Sequence, residues 1–122
     1  MARVYLDVNR FIDAVKRQPE KEILNSLLGH TVFISPLSIA IYSYLYKIKV
    51  PNKQLSIQLE DLQLIDFSQD ICGKALLGPT EDFEDNIQLH SAAEGECDIF
   101  LTEDKKLLNM KFFGKTEIAD KP

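Results

Sequence analysis

The segment DFEDNIQLHSAAEGECDIFLTED, residues 82–104, decides how the rest of the chain is interpreted. It begins with acidic residues at a helix start, continues through helix-like sequence to Gly95, and becomes the apolar run Ile99–Leu101 before it ends on Glu103 and Asp104. A helix followed by a return strand can bring both acidic groups to one edge of a sheet. Because like charges repel there unless a cation lies between them, the segment predicts a divalent metal site.

The bulk composition is typical of a single domain that spans residues 1–122. The chain is 45% hydrophobic and 27% charged, with a formal net charge of −5, which predicts a globular domain and argues against a surface for non-specific nucleic-acid binding. No apolar run reaches the ~18 residues of a membrane span, and the first residues lack the apolar region of a signal peptide. We therefore expect a cytoplasmic protein without membrane association. Cys72 and Cys97 have no metal-binding spacing and are interpreted as small buried side chains.

Strand-like and helix-like segments alternate along the chain at the spacing of a parallel sheet with right-handed crossovers. Short runs rich in β-branched and aromatic residues predict strands at Arg3–Asp7, Thr31–Ser35, Leu64–Phe67, Ile99–Leu101 and Thr116–Ala119, the last at an edge. Helices are predicted over residues 9–17, 20–28, 36–47, 53–62, 69–77, 80–94 and 105–108, with Gly29 as the left-handed residue after the second. The pattern predicts an α/β fold, a three-layer α/β/α domain with a central, mostly parallel sheet of four to five strands.

Four acids follow strand ends or open helices, and each can project from the carboxyl edge of the sheet: Asp7, Asp82, Asp85 and Asp104. Hard carboxylates on one rim suit Mg²⁺ or Mn²⁺, which can activate water and stabilise negative charge on a phosphodiester. A structural interpretation competes with this one. Asp7 is a strong helix cap, Asp82 or Thr80 can cap the helix that follows, and acids in its first turn complement the helix dipole.

Other common chemistries lack their motifs. The sequence contains no phosphate-binding glycine loop and no serine in a nucleophile elbow, and the two histidines, His30 and His90, share no metal-binding spacing. The carboxylates are therefore the main candidates for catalysis.

Three segments resemble motifs of the PIN domain family. Val4–Asn9 resembles its first motif, an apolar strand that ends in Asp-x-Asn, and Asp82–Gln88 resembles its third. The Thr102–Asp104 segment, after the apolar run Cys97–Leu101, resembles the fourth. The resemblance covers essentially the whole chain in length and in the order of its elements.

The resemblance implies a function as well as a fold. PIN domains are Mg²⁺- or Mn²⁺-dependent nucleases with a parallel α/β/α sheet, and many are VapC-like toxin ribonucleases of toxin–antitoxin pairs that form homodimers. It implies that Asp7, Asp85 and Asp104 are the catalytic, metal-binding acids. Asn9, Thr102 and Asp82 are the expected supporting residues. The expected partners are an RNA substrate, an antitoxin protein and a second copy of the chain.

Two positions depart from the family pattern. Ile41 stands where the family usually has a Glu in the helix after the second strand, and no acid occurs between Asn25 and Gln58. Leu107 and Leu108 stand where relatives often have Asp-Phe or His-Phe. The site keeps three of the four family acids, and the other candidates to replace the missing one are Asp82, Glu84, Glu103 and Asp13.

Three hypotheses follow. The first is a metal-dependent ribonuclease of toxin type. The second is a catalytically impaired PIN-like module that binds RNA or a partner protein without cleavage; Ile41 and the tyrosine-rich helix over residues 36–47, a candidate dimer face, favour it. The third is a phosphatase or related metal hydrolase, which is less favoured because Asp7-Val8-Asn9 lacks a second Asp.

Overall fold

A central sheet organises the computed structural model, which describes residues 1–16, 23 and 25–122. The strands of this part of the chain are β1 (Arg3–Leu6), β2 (Thr31–Ile34), β3 (Gln63–Leu64), β4 (Ile99–Leu101), β5 (Phe112–Phe113) and β6 (Thr116–Ala119). Their order is β3-β2-β1-β4-β6-β5, and all neighbours are parallel except β5 and β6. Strand β1 lies at the centre, with Val4 opposite Val32 on one side and Ile99 on the other.

The helices that the structure describes are α1 (Val8–Val15), α2 (Pro36–Leu45), α3 (Lys53–Gln58), α4 (Gln69–Ala75), α5 (Phe83–Glu94) and α6 (Lys105–Met110), with a 3₁₀ turn at Leu59–Asp61. Each of the six begins after a residue whose side chain accepts a backbone N–H bond: Asp7, Ser35, Asn52, Ser68, Asp82 and Asp104. Such residues satisfy amide groups that a helix start leaves unpaired. The helix starts are therefore encoded locally.

The core lies on both faces of the sheet. Val4, Tyr5 and Leu6 of β1 are all buried, as expected for a central parallel strand covered on two sides. Tyr5 stacks on Phe100 at 5.2 Å between ring centroids, in a cluster with side chains of α4 and α5. Val4 and Leu6 belong to a second cluster that contains side chains of α1 and α2. The result is the three-layer α/β/α arrangement that the sequence predicts.

The sheet differs from the prediction at its ends. It has six strands in the described residues instead of four to five, and Thr116–Ala119 lies inside the sheet instead of at its edge. The edge is β5, which pairs antiparallel with β6 after a turn at Gly114, where φ is +61°. A two-residue strand is too short to show an alternating pattern, so β5 could not be predicted from the pattern of residues. The predicted third strand, Leu64–Phe67, is Gln63–Leu64, and Asp66 and Phe67 are exposed beyond it.

Several helix boundaries are also shorter than predicted. The helix predicted over residues 53–62 is α3 followed by the 3₁₀ turn, and the one predicted from Thr80 begins at Phe83. Thr80 instead donates its backbone N–H to Asn86 Oδ1 at 2.9 Å, which holds it in a turn before the helix. Residues 20–22 and 24 of the helix predicted over residues 20–28 lie outside the described residues, and Gly29 has the predicted positive φ, +84°. In the part of the chain that is described, no helix has the length and apolar character needed to cross a membrane.

Candidate metal centre

Asp7 is a buried carboxylate at the carboxyl end of the central strand. Its side chain, 4% exposed, caps α1 by accepting the Val8 N–H at 2.7 Å through Oδ1. The same oxygen accepts a hydrogen bond from Gln88 Nε2 at 3.0 Å, and Oδ2 accepts one from Thr102 Oγ1 at 2.6 Å. The pKa of Asp7 is raised overall. Burial is the largest cause, and the charge of Asp104 also raises the pKa, whereas the hydrogen bonds from Thr102, Val8 and Gln88 lower it.

Asp104 reaches the same edge because β4 is the parallel neighbour of β1. Leu101 pairs with Leu6, so the residues that follow the two strands lie side by side. The backbone N–H of Asp104 donates to Thr102 Oγ1 at 3.0 Å, and the carboxylate of Asp104 caps α6 by accepting the Leu107 N–H at 3.0 Å. A continuous hydrogen-bonded path therefore runs from Asp7 through the Thr102 hydroxyl to the Asp104 backbone.

Asp85 comes from α5, on which it lies in the first turn. It is half-buried, and its pKa is raised to about 6, first by burial and then by the charges of four acids: Asp82, Asp7, Asp104 and Glu84. Asp82 is exposed and caps α5 by accepting the Asp85 N–H at 2.9 Å. Because the charges of both Asp7 and Asp104 act on Asp85, three sequence-distant carboxylates share one negative region.

Asp7, Asp82 and Asp104 each have a capping role, whereas Asp85 has none. The competing structural interpretation therefore accounts for three of the four acids by geometry alone. Asp85 lies in the first turn of α5, where an acid complements the helix dipole, but its surroundings disfavour its ionised form. A half-buried acid held among other acids at a sheet edge is typical of a functional site.

The remaining predicted site residues lie as follows. Asn9 is exposed on α1, and its side chain has no hydrogen bond within the described part of the chain, so its supporting role stays a prediction. Glu103 and Asp13 are both paired with Arg10, whose Nη1 lies 3.0 Å from Glu103 Oε1 and 3.5 Å from Asp13 Oδ2. Two of the proposed replacements for the missing acid are therefore engaged by a cation of the protein itself.

Two other features concern α2. Ile41 is half-buried there, and no acid occurs on that helix. The hydroxyls of Tyr5 and Ser38 are buried without a hydrogen-bond partner of good geometry among the described residues. The side of the site next to α2 therefore has no carboxylate from that helix.

The sequence did not single out Gln88, although it contacts Asp7 directly. Gln88 lies three residues after Asp85, which places both on one face of α5. A polar residue at that position, between the apolar Ile87 and Leu89, is a signal for a buried amide. Its partner could not be read from the sequence, because Asp7 lies 81 residues away.

The donor set fits a hydrated hard cation better than a closed metal cage. Among residues 1–16, 23 and 25–122, no group of three or more His, Cys, Asp or Glu side chains is placed to hold a metal ion. Mg²⁺ prefers oxygen ligands, retains several waters and is usually bound through one or two protein carboxylates. Asp7, Asp85 and Asp104 offer only oxygen donors. The charge of Asp104 contributes to raising the pKa of Asp7, and the charges of Asp7 and Asp104 contribute to raising that of Asp85.

Comparisons with known proteins support the fold. No protein-family model matches the chain, and no curated protein matches its sequence. The structure is similar to that of VapBC2 from Rickettsia felis, a structure in which VapBC2 is bound to a DNA fragment from its own promoter. The TM-score is 0.69, and the identity is 20% over 96% of this chain and 97% of that chain. It is also similar to FitAcB from Neisseria gonorrhoeae, with a TM-score of 0.60 and 14% identity over 83% of this chain and 87% of that chain.

At these identities the similarity establishes the fold. The match to VapBC2 covers nearly all of both chains, and the three sequence motifs fall at the ends of β1 and β4 and in the first turns of α5. The chain therefore has the PIN-like α/β fold that its motifs predict.

Proposed function

We propose that the protein is a metal-dependent ribonuclease of PIN toxin type that hydrolyses RNA phosphodiesters. The observation that carries this proposal is the convergence of Asp7, Asp85 and Asp104, from three separate elements, into one region. There burial first, then the charge of Asp82, and then the charges of Asp7 and Asp104 raise the pKa of Asp85, to about 6. Gathering carboxylates is unfavourable unless a cation neutralises them. The PIN-like fold and its motifs support a nuclease as the reason.

The residues have distinct parts in the proposed mechanism. Asp7, Asp85 and Asp104 are the acids that would bind Mg²⁺ or Mn²⁺, one or two of them directly and the rest through its waters; when bound, the ion would supply an activated water and neutralise charge on the phosphodiester. Thr102 fixes Asp7 through a 2.6 Å bond and positions the Asp104 backbone at the same time. Asp85, with a pKa of about 6, is mostly ionised at pH 7, so its carboxylate can attract a cation at neutral pH.

The similarity to VapBC2 and FitAcB, together with the PIN motifs, also supports an antitoxin protein as a partner. The resemblance to PIN domains alone supports a homodimer as the assembly. The absence of a membrane-spanning helix among the described residues is compatible with the cytoplasmic location expected of such a ribonuclease.

A catalytically impaired module that binds RNA or a partner protein is the second candidate. Ile41 favours it, because an apolar side chain occupies the position of the second family acid. Losing one carboxylate lowers the negative charge available to a cation, and hence its affinity.

The deciding experiment is cleavage of a mixed-sequence single-stranded RNA in Mn²⁺, Mg²⁺ or EDTA. We expect cutting by the wild type that requires metal and is lost in Asp7→Asn and in Asp104→Asn, while both variants remain folded by circular dichroism. Asp66→Asn is the matched control, since Asp66 is an exposed acid outside the site. Cutting that survives EDTA or either site variant would contradict the proposal, and the absence of cutting by the wild type would favour the binding module.

A further inference from the structure

Gln88 is a buried amide in the middle of α5 that has no place among the predicted catalytic residues. Its side chain is 1% exposed. Nε2 donates to Asp7 Oδ1 at 3.0 Å, and Oε1 accepts the Val8 backbone N–H at 2.8 Å. Both bonds join α5 to the junction of β1 and α1, so one side chain links two of the elements that supply acids to the centre.

These bonds close a ring around the Asp7 carboxylate. The Val8 N–H that donates to Gln88 also donates to Asp7 Oδ1, at 2.7 Å. Gln88 therefore acts on Oδ1 while Thr102 acts on Oδ2, and the two donors together oppose rotation of the carboxylate about its Cβ–Cγ bond. An amide suits this position because it offers one donor and one acceptor, whereas a carboxylate would place a second negative charge against Asp7.

A comparison with Asn86 separates this role from a purely structural one. Asn86 is also a buried amide on α5, but its side chain bonds only to Thr80 and to the Ala75 carbonyl. Its partners belong to the end of α4 and to the turn that precedes α5. The partners of Gln88 are a candidate metal ligand and the amide next to it, so its bonds act on the centre itself.

We propose that Gln88 is a positioning residue of the metal centre, whose amide holds the Asp7 carboxylate in the orientation that binds the cation. This inference rests on the proposed function, because it assigns Asp7 as a metal ligand. Gln88 acts through Asp7 and touches neither the cation nor RNA. Groups that orient metal ligands in this way typically change metal affinity by about 10- to 100-fold when they are removed.

The test compares Mn²⁺ binding by Gln88→Met with that by the wild type, by electron paramagnetic resonance, well below the unfolding temperature. Methionine has a similar volume to glutamine but cannot make either bond. We expect Mn²⁺ to bind about 10- to 100-fold more weakly to this variant. Ser91→Ala is the control, because Ser91 is buried on α5 and bonds only to the Ile87 carbonyl.

A rescue experiment adds a second measurement. If Gln88 acts through the affinity of the centre, saturating Mn²⁺ should restore RNA cleavage in Gln88→Met but not in Asp7→Asn. Unchanged Mn²⁺ affinity in Gln88→Met, or cleavage that stays low at saturating Mn²⁺, would overturn the role of Gln88 and leave the metal centre standing. A wild type that binds no Mn²⁺ would overturn both. If Gln88→Met does not fold, Gln88→Asn, whose amide is too short to reach Asp7, takes its place.

Discussion

At the scale of single residues, the acids of this protein combine an observed capping role with a proposed metal-binding role. Asp7 and Asp104 cap helices with one oxygen, and each remains within the negative region that acts on Asp85. A cap position fixes a short side chain by its bond to the helix start. Capping therefore places these carboxylates at the edge of the sheet with little freedom, which is the preorganisation that a metal centre needs.

Thr102 provides a test of how strongly the buried carboxylate is held. Thr102→Val removes the donor to Asp7 Oδ2 and the acceptor of the Asp104 N–H. Because the lost bond to Asp7 has a carboxylate as its acceptor, we expect the free energy of unfolding to fall by about 1.5–3 kcal/mol in urea titrations with EDTA. Thr116→Val is the control, since it loses one buried bond to the neutral Cys97 carbonyl and should cost about 0.5–1.5 kcal/mol. Equal losses in both variants would show that the Asp7 bond has no special strength.

Asp85 predicts a pH dependence of stability. Its pKa is raised from 3.8 to about 6 in the folded protein, mainly by burial and by Asp82. The folded state therefore holds the proton more tightly than the unfolded chain, and a penalty develops as the pH rises from about 4 through 6 and is complete above it. Asp85→Asn removes this penalty. In EDTA, the free energy of unfolding of the variant relative to that of the wild type should therefore be higher at pH 7 than at pH 4, by on the order of 1 kcal/mol after allowance for solvent screening.

The measurement is urea unfolding of the wild type and the variant at both pH values. Glu81→Gln is a suitable control, because Glu81 is an exposed acid before α5. A difference between wild type and Asp85→Asn that does not change with pH would contradict the raised pKa.

At the scale of elements, α5 and α2 contribute unequally to the centre. Helix α5 supplies Asp85 in its first turn and the Gln88 amide one turn later, and its start is fixed by the Asp82 cap. Helix α2 begins directly after β2 with the Ser35 cap, at the same edge of the sheet, but presents Ile41 where the family resemblance places an acid. The centre is therefore built mainly by β1, β4 and α5.

Ile41→Glu tests whether α2 still faces the centre. If it does, the added carboxylate should tighten Mn²⁺ binding by about tenfold, because ligand charge raises the affinity for hard cations. The same charge should lower stability in EDTA, since it adds repulsion to Asp7, Asp85 and Asp104. Isothermal titration with Mn²⁺ measures the first effect, and Ile41→Gln controls for the change of size and polarity. Equal affinities for Ile41→Glu and Ile41→Gln would show that position 41 lies outside the centre.

At the scale of the whole molecule, the order of the sheet creates the centre. Strands β1 and β4 are neighbours, although Thr102 and Asp7 are 95 residues apart in the chain. Their parallel direction brings both carboxyl ends to one edge, where open α/β sheets place their ligand sites. The net charge of −5 adds a long-range attraction for cations.

Cation binding should therefore stabilise the entire fold. A ligand at 100 times its Kd adds about 2.7 kcal/mol to the free energy of unfolding when it binds only the folded state. We expect Mn²⁺ to raise the temperature midpoint of unfolding of the wild type, and EDTA to bring that midpoint back to its metal-free value. In Asp7→Asn, Mn²⁺ should raise the midpoint only slightly. Matched ionic strength with NaCl controls for general screening. An equal rise in Asp7→Asn would indicate cation binding elsewhere on the surface.

The sequence by itself determined the α/β class, most strands and the helix starts, because apolar runs, caps and glycines act within a few residues. Asp7, Asp85 and Asp104 were also predictable as candidates, since each follows a strand or opens a helix. The family resemblance also marked Thr102 as a supporting residue, and its hydroxyl does donate to Asp7. Tertiary structure alone decided that Gln88 holds Asp7, that Arg10 pairs with Glu103, and that β6 lies inside the sheet. Those features depend on which distant segments pack together. The raised pKa of Asp85 has the same origin, because its burial and its neighbouring charges exist only after packing.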